Sequence, residues 1–504
     1  MVFSSLEFIY LFLFPTLGVF IVLRHLKWEK GIIYWLILTS LIFYAWWSIS
    51  YLTLLLLSVI INFGFHKLLL VYHSRTILTL ATVMNLATLA YYKYADFLID
   101  NINNLAQTQL PMLNVILPLA ISFFTFQQIS FLFDTYHNKI SQCDFAKYCL
   151  FVVFFPQLIA GPIVLQKHTI PQFNLGIFTK PLFMNLAVGG TLFAMGLFKK
   201  IVLADSMAPT ANNVFDLALT GNAVPFEAAW LGIFAYTFQI YFDFSGYCDM
   251  ALGLARMFSI TLPINFNSPY HATSIVDFWR RWHITLSGFL RDYLYIPLGG
   301  SRSGKVRQYA SLTITMLLGG LWHGASWTFV FWGLLHGVYL TINHGWSALT
   351  KNLILPGYIP AFLPKLLSQL LTFLVVMIAW VFFRAESFDA ALSILEGMSG
   401  QTNFYTYKVW GDVLDHGNIL WWQIIALLAV VFYLPNSIVL TQKYNPVLKL
   451  PKGIKNYDLT AYIRRVLVWH PTKAWSTAAF MMVTTSLYYL YSSNNLTEFI
   501  YFNF

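Results

Sequence analysis

Two histidines in apolar sequence are the residues best suited to chemistry. His323 lies in the run LLGGLWHGASW (317–327), and His283 lies in the run FWRRWHITLS (278–287). An imidazole titrates near neutral pH, which suits it to take a proton from a hydroxyl group. Ionisable groups inside apolar runs are also costly and are often functional. These two positions therefore predict an acid–base site.

A structural role for both histidines is the alternative. Polar residues in membrane helices often serve only to pack one helix against another, and backbone carbonyls can hold a buried imidazole. His336, in the run WGLLHG (332–337), is a weaker candidate on the same grounds. No carboxylate or third histidine falls at helical spacing with these residues, so we expect neither a metal ion nor a tightly bound cofactor.

Two acidic residues occur in the apolar run YFDFSGYCDM (241–250). Asp243 and Asp249 need partners there, because an unpaired buried charge is destabilising by several kcal/mol. The arginines of residues 280–291 are the expected partners. We interpret these pairs as structural, holding the polar segment that contains His283.

The elements that position these residues are predicted to be helices in a lipid bilayer. The chain has 504 residues, of which 58% are hydrophobic and 10% charged, whereas soluble domains carry about 25% charged residues. Apolar stretches of about 20 residues, enough to cross a bilayer, recur roughly a dozen times. The segment between Pro269 and Arg307 is too polar to face lipid and is predicted to be interfacial or re-entrant.

Charge sets the predicted topology. The net charge is +10, and the basic residues cluster in short segments such as 441–474. The positive-inside rule expects such clusters in cytoplasmic loops. Because this rule accounts for the positive charge, nucleic acid is not an expected partner. Segments 96–113 and 385–418 are poor in basic residues and are predicted to be external. Both termini then face outward. We predict a transmembrane core at 1–474 and a final membrane helix with an external aromatic tail at 475–504.

Ordered motifs along most of the chain resemble the membrane-bound O-acyltransferase family, in particular its bacterial branch of alginate and peptidoglycan O-acetylation proteins. The motifs are MVFSS (1–5), FYAWW (43–47), YKYADF (92–97), FPQLIAGP (155–162), YFDFSGY (241–247), FWRRWH (278–283), LRDYLYIPLGG (290–300), GGLWHG (319–324) and WVFFRA (380–385).

The resemblance implies an all-α, polytopic ring of helices around a central tunnel in the bacterial inner membrane. It makes His323 the essential histidine and His283 the second histidine of the active site. It further implies a cytoplasmic thioester donor, either acetyl-CoA or an acyl carrier protein, and a cell-surface polysaccharide as acceptor. An extracytoplasmic SGNH or serine-esterase-like protein is the implied partner.

The last six residues, FIYFNF (499–504), resemble the C-terminal motif of the small protein that accompanies the teichoic acid D-alanylation acyltransferase. The tyrosine of that motif is the proposed acyl carrier, and Tyr501 is the corresponding residue here. An interfacial aromatic belt is the alternative reading of such a tail. D-alanyl transfer to teichoic acid, a transporter or flippase, and a non-catalytic scaffold also remain open at this point.

Overall fold

The computed structural model of the protein describes residues 1–140, 142–302, 304–350, 360, 362–402, 417–449, 468–492 and 499–500. These residues form helices joined by turns and extended segments, and no strand occurs among them. The predicted all-α class is therefore confirmed.

The described residues form eighteen helices of five residues or more besides the π-helical stretch Arg291–Tyr295. In the first half they are α1 (Glu7–His25), α2 (Glu29–Ala45), α3 (Ile49–Tyr72), α4 (Arg75–Ala106), α5 (Ile121–Tyr136), α6 (Phe145–Val153), α7 (Leu182–Ala204), α8 (Ala208–Leu219) and α9 (Phe226–Met257). In the second half they are α10 (Ile275–Trp279), α11 (Ile284–Leu290), α12 (Lys305–His323), α13 (Trp327–Thr350), α14 (Phe362–Arg384), α15 (Phe388–Ser399), α16 (Gly417–Tyr433), α17 (Ser437–Thr441) and α18 (Lys473–Ser492).

Several of these helices can cross a membrane. In the described part of the chain, α1, α3, α7 and α14 are long and apolar enough, and α16 with the bent continuation Ser437–Tyr444 forms a fifth candidate. The sequence-based count of roughly a dozen spans is larger. The difference arises because α2 has only 17 residues and long helices such as α4, α9, α12 and α13 carry too many polar or charged side chains. The predicted last helix is present as α18, but it is not among these candidates.

Lipid-facing surface is visible on α14. Its leucines at positions 363, 367, 370, 371 and 374 are exposed, whereas Val376, Met377 and Trp380 are buried. An exposed row of leucines is unfavourable in water and favourable in a bilayer. The protein is an integral membrane protein.

The chain forms two compact units. The first unit comprises Met1–Phe198, Gly246–Ile264 and Ser437–Leu487. Aromatic rings fill part of its interior, where Phe8 lies 5.5 Å from Phe12 and 6.2 Å from Phe155 between ring centroids. A polar contact joins α7 to the segment before α18, where the Trp469 indole donates a hydrogen bond of 3.1 Å to the Thr191 hydroxyl.

A reciprocal amide pair joins α3 to α4 within the first unit. The Asn85 side-chain NH₂ donates to the Asn62 oxygen at 2.7 Å, and the Asn62 NH₂ donates to the Asn85 oxygen at 3.1 Å. Both side chains are buried. Buried amides need such partners, because an unsatisfied polar group in an apolar medium is costly.

The second unit comprises Lys199–Ser245, Asn265–Asn436 and Tyr488–Phe504, and it contains both predicted active-site histidines. Serine side chains cap the N-termini of two helices in this unit. Ser274 accepts from the Asp277 N–H ahead of α10, and Ser387 accepts from the Ala390 N–H ahead of α15. Such N-caps satisfy donors that have no partner inside the helix.

The polar segment between Pro269 and Arg307 contains only short helices before α12. Helix α10 has five residues and α11 has seven, followed by a π-helical stretch, Arg291–Tyr295. None of these is long enough to cross a bilayer. The prediction that this segment does not span is confirmed, and its depth in the membrane stays a prediction.

Candidate active site

His323 is the last residue of α12. The following residue, Gly324, is extended, and α13 begins three residues later at Trp327. The His323 side chain is 3% exposed. Its ring centroid lies 4.8 Å from that of Trp322, and 5.1 Å from those of Trp332 and Phe383. The imidazole is thus packed edge-to-face among three aromatic rings.

Glycines allow α12 and α13 to approach closely just before His323. A Cβ added at Gly320 would meet the carbonyl oxygen of Phe329 and lie 3.1 Å from the Gly333 Cα. A Cβ at Gly333 would meet the carbonyl oxygen of Met316. Since both obstacles are backbone atoms, any larger residue would push the helices apart. This crossing places His323 against rings from α13 and α14.

His283 precedes α11 and has a left-handed backbone conformation, with φ of +41°. A non-glycine residue in this region costs roughly 1–3 kcal/mol and persists where surrounding structure imposes it. The side chain is fully buried, with its ring 4.9 Å from that of Phe244. Burial lowers the pKa of His283 below its ordinary value. The ring is therefore neutral near pH 7, and one of its two nitrogens can accept a hydrogen bond or a proton.

Asn265 holds the start of α11 in place beside His283. Its carbonyl oxygen accepts from the Ile284 N–H at 3.0 Å. Its side-chain oxygen accepts from the Thr285 N–H at 3.2 Å and from the Thr285 hydroxyl at 2.6 Å. Asn265 is 1% exposed, so these bonds are shielded from water. They are the kind of surrounding structure that fixes the left-handed conformation at His283.

Trp322 connects the two predicted histidines. Its ring lies 4.8 Å from the ring of His323 and 6.1 Å from that of His283, in edge-to-face geometry in both cases. The structure therefore brings both histidines into one aromatic cluster, although they are 40 positions apart in sequence and lie on different helices. Whether they are catalytic stays a prediction at this point.

His336, the weaker candidate, belongs to the same cluster. Its ring lies 4.8 Å from that of Trp332, and its Nδ1 accepts a hydrogen bond of 3.3 Å from the Trp279 indole N–H. This acceptor role places the proton of a neutral ring on Nε2. His336 is fully buried. Its hydrogen bond with the Trp279 indole is the kind of contact that holds a structural histidine in place.

The predicted pairing of the buried acids with arginines is wrong. Asp243 pairs with Lys200, at 2.8 Å, and Asp249 accepts a hydrogen bond from the Ser437 hydroxyl at 2.6 Å. Two of the arginines have acidic partners within their own segment. Arg281 pairs with Asp277 one helical turn away, and Arg291 pairs with the adjacent Asp292. These two arginines pair with acids that lie four residues and one residue away in the sequence, and not with the acids of α9.

Tyr501, the predicted acyl carrier, lies outside the described residues. The two residues before it are described and belong to the second unit. Phe499 is 3% exposed, and its ring lies 5.9 Å from that of Phe244, the same residue that contacts His283.

Several residues of this site were not singled out from the sequence. They are the aromatic neighbours Trp322, Trp332 and Phe383, the amide of Asn265, and Lys200. Trp322 carries a sequence signal, because it directly precedes His323 in GGLWHG. Lys200 lies inside an apolar run and was open to the same suspicion as the buried acids.

Comparisons with known proteins cover this site. A family model described as MBOAT, membrane-bound O-acyltransferase family, matches residues 41–362, which include His283, His323 and His336. The chain is 44% identical over 433 residues to a peptidoglycan O-acetyltransferase of Helicobacter pylori, covering 79% of this chain and 80% of that protein. It is 39% identical over 485 residues to a probable alginate O-acetylase AlgI of Pseudomonas aeruginosa, covering 92% and 86%. A teichoic acid D-alanyltransferase of Streptococcus thermophilus is 28% identical over 244 residues, covering 47% and 59%.

Proposed function

The chain belongs to the membrane-bound O-acyltransferase family, and we propose that it passes an acetyl group from a thioester donor toward a polysaccharide of the bacterial cell surface. The observation that carries this proposal is the placement of His323 at the close crossing of α12 and α13, in one aromatic cluster with His283. A buried imidazole beside a second, neutral one is suited to proton transfer at a hydroxyl group.

Acetyl is favoured over D-alanyl as the transferred group. The relatives named for O-acetylation match 79% and 92% of this chain at 44% and 39% identity. The relative named for D-alanyl transfer matches 47% at 28% identity. Peptidoglycan and alginate are the polymers in the names of the former proteins, and a glycan with free hydroxyl groups is the acceptor class proposed here.

The proposed reaction moves the acyl group in two steps. In the first, the phenol oxygen of Tyr501 attacks the carbonyl carbon of the thioester, the C–S bond breaks, and the phenol proton passes through His323 to the departing thiolate. In the second, a hydroxyl group of the extracytoplasmic partner attacks the tyrosyl ester, and its proton restores the phenol. A phenol has a pKa of about 10 and is a weak nucleophile until a base accepts its proton. His283 positions or polarises the acyl carbonyl.

The proposed donor and partners follow from this sequence of steps. Acetyl-CoA or an acylated carrier protein supplies the thioester from the cytoplasm, so the chain belongs in the inner membrane with its tail outside. An extracytoplasmic serine-esterase-like protein of the SGNH type receives the acetyl group and transfers it to the polysaccharide. Neither donor nor partner needs a tightly bound cofactor in this chain.

The His323→Ala variant tests the base. We expect polymer acetylation to fall to background while the amount of protein in the membrane is unchanged, and His344→Ala, a half-buried histidine on α13, serves as the matched control. Acetylation is measured as acetate released from isolated cell-surface polymer by mild base, which also separates acetyl from D-alanyl esters. Retention of acetylation by His323→Ala would defeat the assignment.

The Tyr501→Phe variant tests the carrier. Mass spectrometry of the C-terminal peptide should detect an acetyl ester on the wild-type chain and none on the variant, with Tyr491→Phe as the control because Tyr491 is 87% exposed at the end of α18. Undiminished polymer acetylation by Tyr501→Phe would exclude the tyrosyl ester. A transporter would transport without any thioester and tolerate the loss of His323, and a non-catalytic scaffold predicts that both His323 and His283 are dispensable. A thioester transfer assay on the purified protein separates these alternatives from the enzyme.

A further inference from the structure

A cluster of one cation and two acids lies in the second unit, and its cation and one of its acids are buried. The Lys200 ammonium is 2.7 Å from an oxygen of Asp205 and 2.8 Å from Oδ1 of Asp243. The side chains of Lys200 and Asp243 are 4% and 1% exposed. Lys200 lies in the π-helical end of α7, Lys199–Ala204, and such stretches are frequent at functional sites. Burial of these charges is costly, so their geometry calls for an explanation.

The second oxygen of Asp243 binds the C-terminal segment. Oδ2 accepts a hydrogen bond of 2.9 Å from the backbone N–H of Ile500, which is 257 positions further along the chain. One carboxylate therefore bridges a buried ammonium and the main chain of the tail. Hydrogen bonds to charged acceptors are roughly twice as strong as neutral ones.

A second contact fixes the neighbouring residue. Phe499 packs on Phe244, the residue after Asp243 in α9, with ring centroids 5.9 Å apart. The ring of Phe244 also lies 4.9 Å from that of His283. Two consecutive tail residues thus contact two consecutive residues of α9, and Phe244 contacts both the tail and His283.

We propose that Asp243, held in place by Lys200, is the receptor for the C-terminal segment and positions it at the active-site cluster. The contact is to backbone at Ile500, the residue directly before Tyr501, so it anchors the tail without using the tyrosine side chain. Asp243 is a positioning residue in this scheme. The positioning role of Asp243 rests on the proposed function of Tyr501. The docking of the C-terminal segment on Asp243 can be measured without any acyl transfer.

Hydrogen exchange at the Ile500 amide measures the docking directly. In the full chain in lipid vesicles, Asp243→Asn removes the charged acceptor, and we expect the Ile500 amide to exchange about 10- to 100-fold faster, the factor that corresponds to a hydrogen bond to a charged group. Asp216→Asn, at an exposed position on α8, is the control that should leave the exchange rate unchanged. An unchanged rate in Asp243→Asn would overturn the inference whatever the activity of the enzyme.

A variant in the tail tests the same hydrogen bond if Asp243→Asn does not fold. Ile500→Pro removes the N–H donor at this position and fixes its φ, while Ile500→Ala keeps the donor. Neither substitution replaces Lys200 or Asp243. We expect the acyl ester on Tyr501 to form about 10- to 100-fold more slowly in Ile500→Pro than in Ile500→Ala. Equal rates in the two variants would refute the positioning role. Activity retained by Tyr501→Phe would instead refute the carrier, and the exchange result would stand separately.

Discussion

Replacement of Gly320 by alanine tests whether the close crossing of α12 and α13 is what places His323. The added Cβ would meet the Phe329 carbonyl oxygen and the Gly333 Cα, and neither backbone group can turn away as a flexible side chain would. The two helices must therefore separate by roughly 1 Å, a displacement that can cost about 100-fold in rate when it moves a catalytic group. His323 is three residues further along the same helix and shares the movement.

The stability cost of the same change is modest. Overpacking of a close interface costs about 1–3 kcal/mol, and the better helix propensity of alanine returns about 1 kcal/mol. We therefore expect Gly320→Ala to fold, with a slightly lower unfolding midpoint, while the acetyl transfer rate falls about 100-fold. A loss of activity much larger than the loss of stability is the diagnostic result.

Gly288→Ala is the matched control for this prediction. Gly288 lies in α11 near His283, but a Cβ there would meet nothing within 4 Å. We expect wild-type transfer and a gain in stability of about 0.5–1 kcal/mol. Both variants are assayed in vesicles for acetyl transfer per folded molecule, with the unfolding midpoint measured on the same samples. A Gly320→Ala protein that transfers at the wild-type rate would refute the reasoning.

Two further substitutions test the surroundings of the histidines. Asn265→Ala removes the acceptor of both Thr285 hydrogen bonds, so we expect a loss of about 1–3 kcal/mol in stability and slower transfer. Unaltered transfer in this variant would contradict a role in holding the start of α11. His336→Leu removes the acceptor for the Trp279 indole, and we expect a similar loss of about 1–3 kcal/mol with transfer per folded molecule retained. Complete inactivation of a folded His336→Leu protein would show that this histidine acts in the chemistry.

The helical class and the polar, non-spanning segment could be predicted from the sequence, because both depend on local composition. Long apolar runs predict helices in lipid wherever they occur, and the charges between Pro269 and Arg307 exclude a spanning helix there. The number of spans was harder to predict, since a long helix such as α13 buries the polar side chain of His336 and is not among the helices apolar enough to cross a membrane.

The surroundings of the site depend on contacts between distant segments. Phe383 packs on His323 from 60 positions away, and no local pattern indicates that contact. Lys200 reaches Asp243 across 43 positions, whereas the sequence suggested arginines that turned out to have acidic neighbours nearby. The left-handed backbone at His283 was also not predictable, because residues other than glycine rarely adopt it and nothing in FWRRWH marks the position.

The reciprocal amide pair between Asn62 and Asn85 restricts how α3 and α4 can evolve. Loss of one amide strands the other in an apolar environment at about 1–3 kcal/mol, whereas exchange of both for apolar side chains of similar shape can be nearly neutral. A protein with a single leucine at either position is therefore less stable than one with both amides or one with two leucines. A pair of leucines is expected to recover most of the loss, with a coupling of about 0.5–3 kcal/mol between the positions, so the two sites should change together or not at all.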